Sequence, residues 1–259
     1  MSKITELQAI YVMWLREMKR FIRARSRLLA SIIQPLFFLT ILGFGLNKAI
    51  IPGVEGDYMY FLAPGVIAMA IMFSSMFTGV SVLWDKKFGF LQEVLVAPVS
   101  RLSIVIGRTL GGATTALIQG LIILIIALSL GVRVSTISQL ILTLIMMIII
   151  AFTSVGFGLI IASKMEDLQG FQLIMNMLIL PLFFLSSAFF PLDKLTETMP
   201  TWIGDIFMIN PLFYMVDGIR GSLTGINNHF HPLIDLLVLL IICIAMMSLG
   251  SYFFGKSEV

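Results

Sequence analysis

Long apolar runs, interrupted by one short charged stretch, constrain this chain more than any other feature. Of its 259 residues 59% are hydrophobic and only 12% charged, whereas soluble domains carry about 25% charged residues. Charges this scarce cannot cover a water-facing surface, so the sequence predicts an all-α integral membrane protein. A span needs roughly 20 apolar residues to cross roughly 30 Å of hydrocarbon. Six runs meet that length, at about 28–47, 59–83, 104–130, 137–163, 171–190 and 233–254. Pro35, Pro64 and Pro181 lie inside three of them, which is tolerable where neighbouring helices re-satisfy the freed backbone groups. With no long repeat and no polar linker, residues 1–259 read as one domain.

Before the first run, residues 4–26 form an amphipathic pattern. Ile4, Leu7, Tyr11, Trp14, Leu15, Met18, Phe21 and Ile22 recur at helical spacing, opposite Arg16, Glu17, Lys19, Arg20 and Arg23. A basic helix with Trp and Tyr on its apolar side is expected to lie in the headgroup region, in contact with membrane lipid. The first apolar run begins only near Leu28 and is too long for a signal h-region, so no cleavable signal peptide is expected. If both termini are cytoplasmic, only Lys48, Arg133, Lys194 and Arg220 of the 17 Lys and Arg fall outside. That asymmetry predicts a multi-pass plasma-membrane protein with both ends inside.

The charged stretch, 85–101, then faces the cytoplasm. It holds Asp85, Lys86, Lys87, Glu93 and Arg101 around an apolar stripe of Leu91, Val94 and Leu95. The i, i+3, i+4 spacing places that stripe on one face of a short helix, which gives it something to dock on. On the other side, 191–232 is too long and too apolar for a bare connection. Leu192, Leu195, Met199, Trp202, Ile203 and Ile206 recur at helical spacing, and Asn210-Pro211 reads as an N-cap followed by Pro at the first helical position. The second helix carries Leu212, Phe213, Val216, Ile219 and Leu223 and should stop near Gly225. Asp205, Asp217 and Arg220 argue against an ordinary lipid-exposed span, so two short re-entrant helices are expected.

Several chemistries lose support. The span cores hold no Asp, Glu, Lys, Arg or His; Arg108 and Asp235 are expected at span ends, within reach of the interface. A proton-driven transporter needs an ionisable group near the midplane, and an intramembrane enzyme needs a nucleophile and base or metal ligands at depth. His229 and His231 are too few for a zinc site. Gly250 to Ser257 fits the P-loop expression, but a membrane helix precedes it and only two residues follow, where a strand and a helix are required. No metal site, bound cofactor or nucleic-acid surface is expected. A carbonyl-lined sodium transporter and a non-transporting anchor for an ATPase stay open on the residues alone. Gly107, Gly111, Gly112, Gly156 and Gly158 would permit close helix approach.

The run Phe88-Gly-Phe-Leu-Gln-Glu-Val-Leu-Val-Ala-Pro-Val-Ser-Arg101 resembles a motif of the permease subunits of type-2 ABC exporters, the daunorubicin-resistance branch in particular. Ser187-Ala-Phe-Phe-Pro-Leu192, Asn210-Pro-Leu-Phe-Tyr214 and Asp217-Gly-Ile-Arg-Gly221 match in order and spacing. Lys87 departs from the pattern, where an acidic residue is usual. The resemblance covers essentially the whole chain. It implies six transmembrane helices, an interfacial N-terminal helix and extracellular re-entrant helices over 191–225, marked by Pro191, Asn210, Pro211, Asp217 and Arg220. It also implies a coupling helix that seats in a separate ATP-binding-cassette ATPase through Gly89, Phe90, Leu91, Gln92, Glu93, Val94, Leu95, Pro98 and Arg101. ATP and magnesium would be bound by that partner, and a second permease copy would complete the exporter. The implied cargo is a drug-like or lipid-like molecule, or alternatively a polysaccharide or lipid-linked glycan.

Overall fold

A computed structural model describes residues 6–45, 57–89, 99–134, 136–192, 202–226 and 228–256. Every element formed by these residues is helical. Helix α1 is Glu6–Arg23, and α2 is Arg25–Phe37. A π turn, Phe38–Leu42, and a last α turn, Gly43–Gly45, continue α2 without a break. The π turn follows Pro35, which supplies no N–H to the helical ladder, and Thr40 Oγ1 donates to the Leu36 carbonyl at 2.8 Å within it. Then come α3, Tyr58–Lys87; α4, Arg101–Ser129; α5, Ile137–Lys164; and α6, Leu168–Phe184. The short helices α7, Trp202–Ile209, and α8, Pro211–Leu223, precede α9, Pro232–Lys256.

The sequence places these elements well. Among the described residues, α3, α4, α5 and α9 are each long and apolar enough to cross a membrane. The first and fifth expected spans are shorter as apolar helices, Ser31–Gly45 and Leu168–Phe184. The expected run to 190 is cut at Phe184 for a local reason. The Ser186 hydroxyl donates to the Phe183 carbonyl, and Ser187 adopts a left-handed φ of 59°. Side-chain caps start three of the helices: Ser100 on α4, a Thr136/Gln139 capping box on α5 and Asp167 on α6.

Helix α3 is the most enclosed of the long helices, and α5 packs against it on one face and against α9 on another. Glycine sets both distances. A Cβ at Gly79 would lie 2.8 Å from the Gly158 carbonyl oxygen, and one at Gly156 would lie 2.9 Å from the backbone of Met246. Backbones therefore meet where side chains elsewhere keep helices apart. Helix α6, by contrast, buries only the stripe Phe171, Met175, Ile179 and Phe183. The face of the bundle on which 85–101 joins α3 to α4 is here termed the near side; α8 and the start of α9 lie on the far side.

Helix α1 departs from a simple two-faced interfacial helix. It packs along α4, burying Ala9, Met13 and Glu17. A Cβ at Gly107 would lie 2.8 Å from the Ile10 carbonyl oxygen, so that glycine opens the seat for α1. The apolar residues Leu7, Tyr11 and Ile22 stay exposed along a second face. Glu17, grouped by spacing with the charged residues, is inside.

Candidate functional site: the roots of the 85–101 stretch

Residues 90–98 lie outside the described residues, and with them Phe90, Leu91, Gln92, Glu93, Val94, Leu95 and Pro98 of the expected coupling helix. Its two roots are described. Gly89 ends the α3 side with a φ of 74°, a conformation that glycine adopts without steric cost. Arg101 opens α4 and is exposed.

At the first root, one carboxylate gathers three guanidinium groups. Asp85 Oδ2 accepts from Arg16 Nη1 at 2.7 Å and from Arg108 Nη2 at 2.5 Å, while Oδ1 accepts from Arg20 Nη2 at 2.9 Å and also from Arg16 Nη2. Glu17 extends the cluster, accepting from the Ser81 hydroxyl at 2.9 Å and lying 3.8 Å from Arg20. The guanidinium of Arg108 sits 5.7 Å from the centre of the Phe254 ring, which brings in α9. Four helices thus converge on Asp85. A buried ion pair is strongly destabilised by removal of one partner, because the other is left charged and unpaired.

At the second root, the Ser100 backbone N–H and hydroxyl both donate to the Glu6 carboxylate, at 3.1 and 2.9 Å. Hydrogen bonds from the hydroxyls of Ser103 and Ser100 hold the Glu6 carboxyl below its ordinary range. Helix α1 therefore grips both ends of the stretch, Ser100 near its start and Asp85 near its end.

The expectation that Arg108 and Asp235 reach the interface from span ends is overturned. Both are fully buried. Arg108 is turned into the bundle by Asp85; among the described residues its Nε and Nη1 have no hydrogen-bond partner, and neither carboxylate oxygen of Asp235 has one. Asp235 packs against the bare backbone of Gly218. Spacing along one helix could not show this, since the burial comes from neighbouring helices. One available signal was the rule that an ionisable group inside a span needs a named partner.

On the far side, Pro191, Asn210, Pro211, Asp217 and Arg220 gather in one assembly, while Trp202, Asp205 and Ile206 of α7 stay exposed. Asn210 caps α8 by accepting from the Leu212 N–H at 3.0 Å, and its amide donates to the Leu182 and Leu185 carbonyls at 2.6 and 2.8 Å. Pro211 follows as the first helical residue. Arg220 is sealed inside, donating to the Ser187 carbonyl at 2.6 Å and to the Phe61 carbonyl at 3.3 Å, with its guanidinium 4.0 Å from the centre of the Phe61 ring. Asp217, 3.9 Å from Arg220, accepts the backbone N–H groups of His229 and Phe230 at 2.8 Å each. Pro191 is buried beside Leu192, which packs with Phe207 and Phe213. Here α7 and α8 are two short helices, as the spacing predicts. Leu195 and Met199, assigned to the first of them, lie outside the described residues. The His229 ring packs edge-on against Phe213 and Phe230.

Helices long and apolar enough to cross a membrane, tied together near one end by the Asp85 cluster, are those of a multi-pass membrane protein. Residues 8–224 match the ABC-2 type transporter family. The chain belongs to that family. It is 31% identical over 204 residues to the putative transport permease ycf38 of Porphyra purpurea, covering 76% of this chain and 68% of that one. It is 27% identical over 222 residues to the inner membrane transport permease YadH of Escherichia coli K12, covering 85% and 84%. The probable multidrug ABC transporter permease YbhR of the same organism is 30% identical over 162 residues, covering 62% and 43%.

Proposed function

We infer that this permease is the membrane half of an ATP-driven exporter whose ATPase is a separate subunit docking on residues 85–101. The observation that carries this reading is the grip of α1 on both roots of the stretch. A loop that merely connected two spans would need no such bracing. A loop that is pushed has to pass force into the bundle, and the Asp85 clamp offers α1, α3, α4 and α9 as recipients. ATP and magnesium belong to the partner, whose nucleotide-driven closure would press on Leu91, Val94 and Leu95, with Glu93 and Arg101 setting register by charge. The chain itself is a transport subunit without catalysis of its own.

The working unit would pair two permease copies with two ATPases, with both termini cytoplasmic and α7–α8 re-entrant from outside. Six spans follow if 25–45 and α6 also cross. At 1.5 Å per residue, 25–45 reaches about 31 Å, and the turn after α6 extends a helix that falls a few ångströms short. The cargo is hydrophobic or amphipathic, a drug-like molecule or lipid; the multidrug name of one relative supports that class.

Reconstitution with a candidate ABC ATPase partner tests the proposal. Leu91→Ala and Glu93→Arg should weaken ATPase binding and ATP-dependent efflux while leaving membrane insertion intact. Unchanged efflux in Glu93→Arg, or efflux with no nucleotide hydrolysed, would overturn it.

A further inference from the structure

We propose that the basic face of α1 is a binding site for the headgroup of an anionic phospholipid. An open groove of about 610 Å³ runs along this face, lined by Val12, Leu15, Arg16, Lys19, Arg20 and Arg23. Val12, Arg16, Lys19 and Arg23 follow one another at helical spacing and share one side of the helix. Lys19 and Arg23 are exposed, and no ion pair among the described residues engages them. Arg16 and Arg20 point their guanidinium groups toward Asp85, yet their side chains keep 23% and 32% exposure.

Charge sets the sign of the ligand. Among the described residues of this cluster, Arg16, Lys19, Arg20, Arg23 and Arg108 outnumber the carboxylates Asp85 and Glu17 by three. Position sets its source. The basic face adjoins the exposed apolar face of Leu7, Tyr11 and Ile22, which belongs in hydrocarbon. A ligand that meets both is one molecule with acyl chains along the apolar face and a phosphate on Lys19 and Arg23. A free anion would use only the second, and an acidic protein surface would leave the first uncovered.

The site also reaches the Asp85 clamp. A phosphate at Arg16 and Arg20 competes with Asp85 for the same guanidinium groups, so lipid composition would set how firmly α1 holds the first root of the 85–101 stretch. This inference does not depend on the export reading. It requires only that α1 lie at a membrane surface.

Trp14 reports on the site, since it lies on α1 and its indole N–H donates to Thr114 at 3.2 Å. In a Trp84→Phe/Trp202→Phe background, the full chain is placed in vesicles of phosphatidylglycerol and phosphatidylcholine, with one or the other brominated to quench Trp14. Each basic residue near an anionic surface is worth about 1 kcal/mol, or about fivefold in binding. Phosphatidylglycerol should therefore be preferred, and Lys19→Gln/Arg23→Gln should lower the preference by about 30-fold at most and about fivefold at least. Lys19→Arg/Arg23→Lys should retain it. Equal quenching by both lipids in the unaltered site, or an undiminished preference in the neutral variant, overturns the proposal. Loss of the preference on adding inorganic phosphate would assign the site to a free anion instead. Protection of Lys19 from an amine-reactive label only when the ATPase is bound would assign it to the partner.

Discussion

The near-side and far-side clusters both bury arginine, and they do it in opposite ways. Around Asp85 the arginines outnumber the carboxylate three to one, and two of them keep access to water. Around Arg220 a single cation is closed off, held by two carbonyls, one aromatic face and a distant Asp217. The first arrangement permits exchange, because a guanidinium that leaves Asp85 is replaced by another and finds water outside. The second does not, because a displaced Arg220 is sealed from water and would leave its carbonyl acceptors behind. Near-side bonds should also weaken with added salt, which screens exposed charges and not buried ones. The contrast suits a bundle that receives force at one end and stays fixed at the other.

Substitution tests this contrast most severely at its two centres. Asp85→Ala strands three guanidinium groups, one of them fully buried, and should cost about 3–5 kcal/mol in denaturant unfolding of the detergent-solubilised protein. Arg220→Met leaves the Phe61 and Ser187 carbonyls without their donor and should cost about 2–4 kcal/mol, with no dependence on ionic strength. A strong salt dependence in the Arg220 variant, or none in the loss of Asp85, would erase the distinction. Gly156→Val drives a side chain into the Met246 backbone and should cost about 1–3 kcal/mol. Unlike the first two, it should leave the salt response of the protein unchanged.

The smallest effect belongs to Glu6, which is exposed. Its carboxyl titrates below the ordinary 4.5 because Ser103 and Ser100 donate to the charged form. The stabilisation is therefore complete above that ordinary value and disappears as pH falls through the lowered one. A pH series on thermal unfolding should show this acid-side slope reduced in Glu6→Gln. An identical slope in the variant would mean that the Glu6 contacts do not persist in solution.

Much of the far side was readable in the chain. Asn210-Pro211 announces a helix start by local chemistry, Gly225 a stop, and the apolar spacing of α8 its buried stripe. Local signals suffice there because a cap and a turn involve neighbours in sequence. The near side was not readable in the same way. Arg16 and Arg20 meet Asp85 across 69 and 65 positions of sequence, and helical spacing alone sorts Glu17 with the solvated charges. Which charged group faces inward depends on which helix lies alongside, and Gly107 and Gly111 clear the seat on α4 along which α1 lies. The same reason explains Arg108 and Asp235, whose distance from a helix end says nothing about what surrounds them.

The glycine contacts of α5 carry a consequence for movement. Where two helices touch backbone to backbone, no flexible side chain lies between them to take up a shift, so sliding one past the other means breaking the contact outright. Helices α3, α5 and α9 are therefore bound to travel as a single rigid spine. A change of shape in this chain is then left to less tightly held parts, among them the segment around the π turn of residues 38–42 and α6, which holds to its neighbours by one thin row of side chains.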